Sequence, residues 1–329
     1  MPQNDKRSVK RRTRSERRAQ EEARLRAEAE QAEKERKQQT LIGAIVVVVV
    51  IALIAVIGIT VYRNTHPSSA PTATTSSASL AKAKKAMSAV KPKPSVANSD
   101  GGFTFSKDGY NKTISDAPTV AVYMDPMCPG CGQMHRQIDE TLKSMYEAGQ
   151  VNLEYHMMTS LDANSSDDYS SRASSSAVYI AQHDSNPEHL LQYMTNLYAE
   201  DFQPSEGSDY VPVSNDKLKE QAIKAGVPES VASKAYAGTY TKWLKAVDSY
   251  TTQRNELKNV SGSLKGQMST PTVTINGKII DMNKVASLNM SVKDAILNAI
   301  GLSESNVGKS GVMPSVSSKD KPKSIDTGE

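Results

Sequence analysis

Cys128 and Cys131 are the only two cysteines in a chain of 329 residues. They stand as Cys128-Pro129-Gly130-Cys131, a spacing that can close a small disulfide at the start of a helix. Thr119 to Met124 reads as a short apolar strand, and Gly132 to Tyr146 reads as a helix. A strand, a tight turn and a helix form the setting in which this spacing points to thiol–disulfide exchange. At a helix N-terminus the unpaired N–H groups and the dipole favour thiolate over thiol. Such placement can lower a cysteine pKa from about 8.5 to roughly 3.5–7.5. Cys128 is therefore the expected nucleophile. Cys131, one turn further in and less exposed, would resolve a mixed disulfide. Pro129 and Gly130 shape the turn and tune the balance between dithiol and disulfide.

Two other uses of the pair compete with exchange. A purely structural disulfide outside the cell is one, although closing so short a loop removes little unfolded-state entropy. Zinc binding is the other, but it would need two more ligands. His135 and His156 do not form a second ligand pair, so neither a metal nor a cofactor is expected. His135 reads as a solvent-facing helical residue that could still tune Cys128. Glu154 reads as an outward strand residue, with a buried proton relay as its alternative.

The elements that must position the cysteines follow in order. Phe103-Thr104-Phe105 opens a short strand before the Asp108-Gly109 turn. Pro118 to Tyr123 is the next strand and ends at the dithiol. Met134, Ile138, Leu142 and Met145 recur at helical spacing. Val151, Leu153, Tyr155 and Met157 alternate with Asn152, Glu154 and His156, giving another strand. The result is βαβ, with the cysteines at the carboxyl end of its first strand, where open α/β sheets place their sites. Residues 162–258 depart from the sheet pattern. Helices are expected over Tyr169 to His183, Glu188 to Glu200 and Asn215 to Ala225, the last capped by Asn215 or Ser214. One or two more lie between Ser230 and Leu257. This helical insertion would cover the sheet edge and wall the cleft. Sheet pattern returns at Ser269 to Ile275, followed by an Asn276-Gly277 hairpin turn and Lys278-Ile279-Ile280. One amphipathic helix over Val285 to Ile300, with Gly301 as C-cap, closes the domain.

The rest of the chain is polar or membrane-like. The net charge of +4 is carried by residues 1–39, which hold thirteen Lys or Arg against eight Asp or Glu. Ser15 to Lys37 is either a helix extending from the membrane or a fluctuating charged tail, and it lacks the apolar series of a coiled coil. Lys6 to Arg18 could contact RNA, but a topology signal explains the same charges, and no nucleic-acid partner is inferred. Leu41 to Val61 is an uncharged run of 21 residues, enough to span about 30 Å of hydrocarbon as a helix. Basic residues crowd its N-terminal side, which puts residues 1–39 in the cytoplasm and the bulk of the chain outside. A cleaved signal peptide is the alternative to this retained single-pass anchor at 40–62. Residues 63–100 read as a flexible tether, residues 101–302 as the folded domain and residues 303–329 as a disordered tail.

Three marks together resemble the thioredoxin superfamily, in particular membrane-anchored DsbA-like thiol–disulfide oxidoreductases of actinobacteria. They are Tyr123-Met124-Asp125-Pro126, Cys128-Pro129-Gly130-Cys131, and Thr270-Pro271 before a hairpin. The resemblance covers roughly residues 103–301. It implies an α/β thioredoxin-like fold with a helical insertion, preceded by a single transmembrane helix. It also implies a cis bond at Pro271 that exposes the Thr270 backbone to a substrate segment, which could pair there as an added strand. Thr270 would contact Cys128. The implied activity is oxidation of cysteine pairs in exported proteins, with recharging by a DsbB-like or VKOR-like membrane partner. Gly130 stands where the DsbA-like class often has histidine, which bears on oxidising strength. Two rival functions remain: a reductase or isomerase of the cell envelope, and an envelope binding or assembly protein whose disulfide is only structural.

Overall fold

The computed structural model describes residues 76–325 of the chain. The charged tail of residues 1–39, the Leu41 to Val61 span and the first part of the expected tether lie outside the described residues. Among the described residues no helix is long and apolar enough to cross a membrane.

The expected tether is corrected in its second half. Helix α1, Ser77–Ala89, is capped by the Ser76 side chain, and Met87 is buried. Lys84 pairs with Asp100 at 2.7 Å, and the Ser79 hydroxyl donates to Gln253 Oε1 at 2.7 Å. Composition hid this helix because it is held by polar contacts and a few apolar side chains, Met87 with the partly buried Leu80 and Ala83, among many exposed polar ones.

The sheet is built from β1 (Phe103–Ser106), β2 (Gly109–Tyr110), β3 (Thr119–Met124), β4 (Asn152–Met157), β5 (Thr272–Ile275) and β6 (Lys278–Ile279). Their spatial order is β2-β1-β4-β3-β5-β6. Only β3 and β4 run parallel, joined by helix α2 (Pro129–Glu147), and the other neighbours are antiparallel. The βαβ unit read from the sequence is thus present, with β3 between β4 and β5. Met134, Ile138, Leu142 and Met145 are buried on α2 as their spacing predicts. Asn276 and Gly277 both adopt positive φ, 48° and 75°, the backbone a two-residue hairpin turn requires.

Both faces of the central strands are covered. Val120, Val122 and Met124 join the main core, while Ala121 and Tyr123 pack with Leu257 and Met268 on the other side. This corrects the outward reading of Glu154. Its carboxylate accepts hydrogen bonds from Thr104 at 2.7 Å and contacts His156 Nε2 at 2.7 Å. Burial would raise its pKa, but the hydrogen bond and charge of His156 outweigh that and lower it to about 2.

The insertion contains α3 (Tyr169–His183), α4 (Pro187–Leu197), α5 (Asn215–Lys224), the short α6 (Glu229–Ala232) and α7 (Thr241–Thr251). Ser214, not Asn215, caps α5. The single helix expected over Val285 to Ile300 is two: α8 (Met282–Ser287) and α9 (Val292–Ile300). Asn289 takes a left-handed conformation at the break, and Ser291 caps the new helix, roles these residue types tolerate well. Gly301 ends α9 at φ 67° as expected.

The expected disordered tail is corrected through residue 325. Gln150, fully buried, donates to the carbonyls of Asn306, Lys309 and Val312 and accepts from Gly308 N–H. Val316 is buried, and Lys323 N–H donates to Ala299 at 2.8 Å.

Candidate active site

β3 delivers the chain to the site. After Met124 it turns through Asp125, Pro126 and Met127 and enters α2 with Cys128 as N-cap and Pro129 in the first turn. Proline suits that place because its missing N–H would have no helical partner. Cys128 N–H donates to the Asp125 carbonyl at 3.0 Å, and the Cys128 carbonyl accepts from Gly132 N–H at 3.1 Å.

Both cysteines carry free thiols. Their exposures are 1% and 0%, so the expected difference in access is absent in this conformation. Pro129 and Gly130 are the half-exposed part of the motif. Their chemical asymmetry is clear nonetheless. A hydrogen bond from the Cys131 thiol lowers the Cys128 pKa below its ordinary value. Burial opposes it, and hydrogen bonds from the Thr270 side chain and the Cys131 backbone add to the lowering. Burial pushes Cys131 well up, and its proximity to Cys128 pushes the same way. The two sulfurs are pushed in opposite directions, Cys128 toward the thiolate and Cys131 toward the thiol.

The hairpin region brings the third mark to the dithiol. The Thr270–Pro271 bond is cis, and the Cys128 thiol donates to the Thr270 carbonyl at 3.4 Å. Thr270 and Pro271 are half-exposed. All six residues singled out from the sequence, from Cys128 to Cys131 with Thr270 and Pro271, therefore occupy one locality.

Asp125 has no role that its local sequence reveals. Its side chain is fully buried. It accepts from Met127 N–H at 3.0 Å, Leu161 N–H at 3.0 Å and Ser170 Oγ at 2.5 Å. Burial nonetheless raises its pKa to about 7. The sequence signal was an acid three residues before a cysteine, at the end of a strand; what it lacked was evidence of burial.

His135 is corrected from solvent-facing to buried. It is 1% exposed, stacks on Tyr198 with ring centroids 4.1 Å apart, and lies 2.7 Å from Asp139 Oδ1. Asp139 in turn accepts from Thr195 of α4. The insertion therefore covers the face of α2 that a lone helix would leave wet. His135 and His156 each engage a carboxylate, and neither shares a cluster with the cysteines. Among the described residues no group of three or more His, Cys, Asp or Glu could hold a metal ion.

A sequence profile described as thioredoxin matches residues 114–294, more than half of the chain. The chain belongs to the thioredoxin family, and it carries a thiol–disulfide oxidoreductase domain of that fold. A segment of 103 residues is 31% identical to the serine/threonine-protein kinase PknE of Mycobacterium tuberculosis, covering 31% of this chain and 18% of the kinase. This chain therefore matches less than a fifth of that relative's length. Among solved structures, the chain is similar to the reduced disulfide bond oxidoreductase DsbG of M. tuberculosis. Identity there is 26%, coverage is 61% of this chain and 86% of that one, and the TM-score is 0.46. For oxidised DsbA of the same organism the values are 25%, 57%, 90% and 0.45. For the thiol-disulfide oxidoreductase MdbA of Corynebacterium diphtheriae they are 19%, 63%, 99% and 0.45.

Proposed function

We propose that the whole protein is an extracytoplasmic, membrane-anchored oxidase of cysteine pairs in exported proteins. The observation that carries the exchange chemistry is the paired thiols at the N-terminus of α2, with Cys128 as N-cap 3.4 Å from the Thr270 carbonyl. Their surroundings push the Cys128 pKa down and the Cys131 pKa up. The membrane placement rests on the Leu41 to Val61 run and the basic residues before it. Outside the membrane, net oxidation is the direction the compartment favours.

The reaction begins with the Cys128–Cys131 disulfide. A substrate thiolate attacks Cys128 Sγ, the Cys128–Cys131 bond breaks, and Cys131 leaves as a thiolate that takes up a proton. A second substrate thiolate attacks the substrate sulfur of the mixed disulfide. The new substrate disulfide forms, and Cys128 leaves as the stabilised thiolate. Two electrons pass from substrate to protein. Thr270 and Pro271 face the incoming segment, with the Thr270 backbone available for strand-like pairing. A quinone-linked membrane partner of the DsbB or VKOR type would remove the electrons.

The test is a Cys131→Ala chain expressed at full length under conditions that preserve thiol adducts. Disulfide-linked adducts with exported cysteine proteins are expected at Cys128. No adduct would sink the exchange reading and favour a binding or assembly role. The reduction potential of the Cys128–Cys131 pair decides direction. A strongly reducing value with a mostly dithiol pool in cells would turn the assignment to a reductase or isomerase.

A further inference from the structure

Gln203 lies just beyond α4, in the helical insertion, yet its side chain reaches the dithiol turn. Its Nε2 donates to two backbone carbonyls of that turn, Pro126 at 3.1 Å and Cys128 at 2.9 Å. The amide is held in place from behind. Arg136, one turn along α2, donates to the Tyr198 carbonyl at 2.8 Å and to Gln203 Oε1 at 3.4 Å. The Gln203 backbone N–H donates to the Ala199 carbonyl at 2.9 Å. Gly132 leaves the room this requires, since a Cβ there would stand 1.9 Å from Gln203 Oε1.

We propose that Gln203 is a positioning residue for the dithiol, through which the helical insertion sets the thiolate character of Cys128. The proposal deepens the exchange reading of the same site and rests on it. The two clamped carbonyls bracket Met127, whose own N–H is held by Asp125. The peptide planes leading into α2 are thus fixed from the sheet by Asp125 and from the insertion by Gln203. The clamped planes, Pro126–Met127 and Cys128–Pro129, present no free N–H of their own, since Asp125 takes that of Met127 and proline has none. They set the direction in which α2 leaves Cys128, and with it the aim of the Cys131 N–H that stabilises the Cys128 anion. Gly132 serves the same device by leaving space for the Gln203 amide. Without the clamp, the turn gains freedom and the anion loses part of its stabilisation.

The experiment is a pH titration of Cys128 alkylation in the reduced full-length protein, with its reduction potential measured in parallel. Gln203→Ala and Gln203→Met both remove the two donors, and the methionine keeps most of the volume. Each is expected to raise the Cys128 pKa by roughly half to one unit, which is a three- to tenfold loss of thiolate at a pH below it. The potential should become more reducing. Gly132→Ala must displace the Gln203 amide, so it is expected to give the same shift although alanine favours the helix. The Gly132→Ala, Gln203→Ala double variant should shift no further than either alone. Unchanged Cys128 titration in both Gln203 variants, or shifts that add in the double variant, would overturn the proposal. A parent chain whose Cys128 shows no lowered pKa would instead count against the exchange reading itself.

Discussion

The Cys128 sulfur lies 3.4 Å from the Thr270 carbonyl although the two residues are 142 positions apart. The Thr270 side chain also contributes a hydrogen bond that lowers the Cys128 pKa. The carbonyl accepts from the thiol and so favours the protonated form, while the side chain favours the anion. Thr270→Val keeps the shape and removes the hydroxyl. Its expected effect is an upward shift of the Cys128 pKa and a roughly two- to tenfold slower alkylation below that pKa, the size of one hydrogen bond's net contribution. Iodoacetamide kinetics against pH would show it; superimposable profiles would remove the hydroxyl from the account.

Asp125 makes stability depend on pH in a definite direction. Its folded pKa of about 7 lies above its ordinary value, so the folded state holds the proton more tightly than the unfolded state. Its contribution is full in acid and is lost as pH rises through about 7. Asp248, raised to about 6 by burial, acts in the same sense. A single such group changes unfolding free energy by up to about 1.4 kcal/mol per pH unit between the two pKa values. Urea unfolding of the reduced protein from pH 5 to 8 should show a decline with rising pH. Asp125→Asn should flatten that decline whatever its offset in absolute stability, and a slope equal to the parent's would refute the assignment.

Local periodicity made much of the fold legible. The 3.6-residue repeat of Met134, Ile138 and Leu142, the Asn276-Gly277 turn and the Tyr169 to His183 helix all lie where the sequence places them. The dithiol and Thr270-Pro271 were legible because their residue types are rare and their contexts specific. Asp125 and Gln203 were not, since their importance arises from tertiary placement. A glutamine 75 residues from Cys128 carries no local sign that it will bond the carbonyl of that cysteine. His135 misled for a related reason: an exposed helical histidine and one covered by α4 have the same local sequence. The two flanking segments misled because composition counts apolar surface, whereas the tail is held through backbone carbonyls that any residue supplies.

Gly102 marks a close approach between backbone and a buried ring. A Cβ at this position would stand 2.5 Å from His156 Nε2, the atom engaged with Glu154. His156 is fully buried and stacks on Tyr123 at 4.0 Å, so the ring has little room to retreat. Gly102→Ala is expected to cost about 1–3 kcal/mol from overpacking, with more if the His156–Glu154 contact breaks. A denaturant midpoint unchanged from the parent would mean that the ring moves aside freely.

Gln150 should decide whether the C-terminal segment is ordered. Its amide donates to Asn306 and Val312 at 2.9 Å and 2.8 Å, and its carbonyl oxygen accepts from Gly308 N–H at 2.9 Å. These bonds organise a segment with no long helix or strand of its own. Gln150→Ala leaves several of those backbone groups unpaired at once, and even a few such losses sum to about 2–3 kcal/mol. Because the segment also packs Val316 and joins Ala299 through Lys323, release of its first half should loosen the remainder. Amide exchange over residues 304–316 should be slow in the parent and fast in the variant, with cleavage by a nonspecific protease appearing in the same stretch. Fast exchange there in the parent would show that the segment does not hold this packing in solution, and Gln150→Ala would then have little effect on stability.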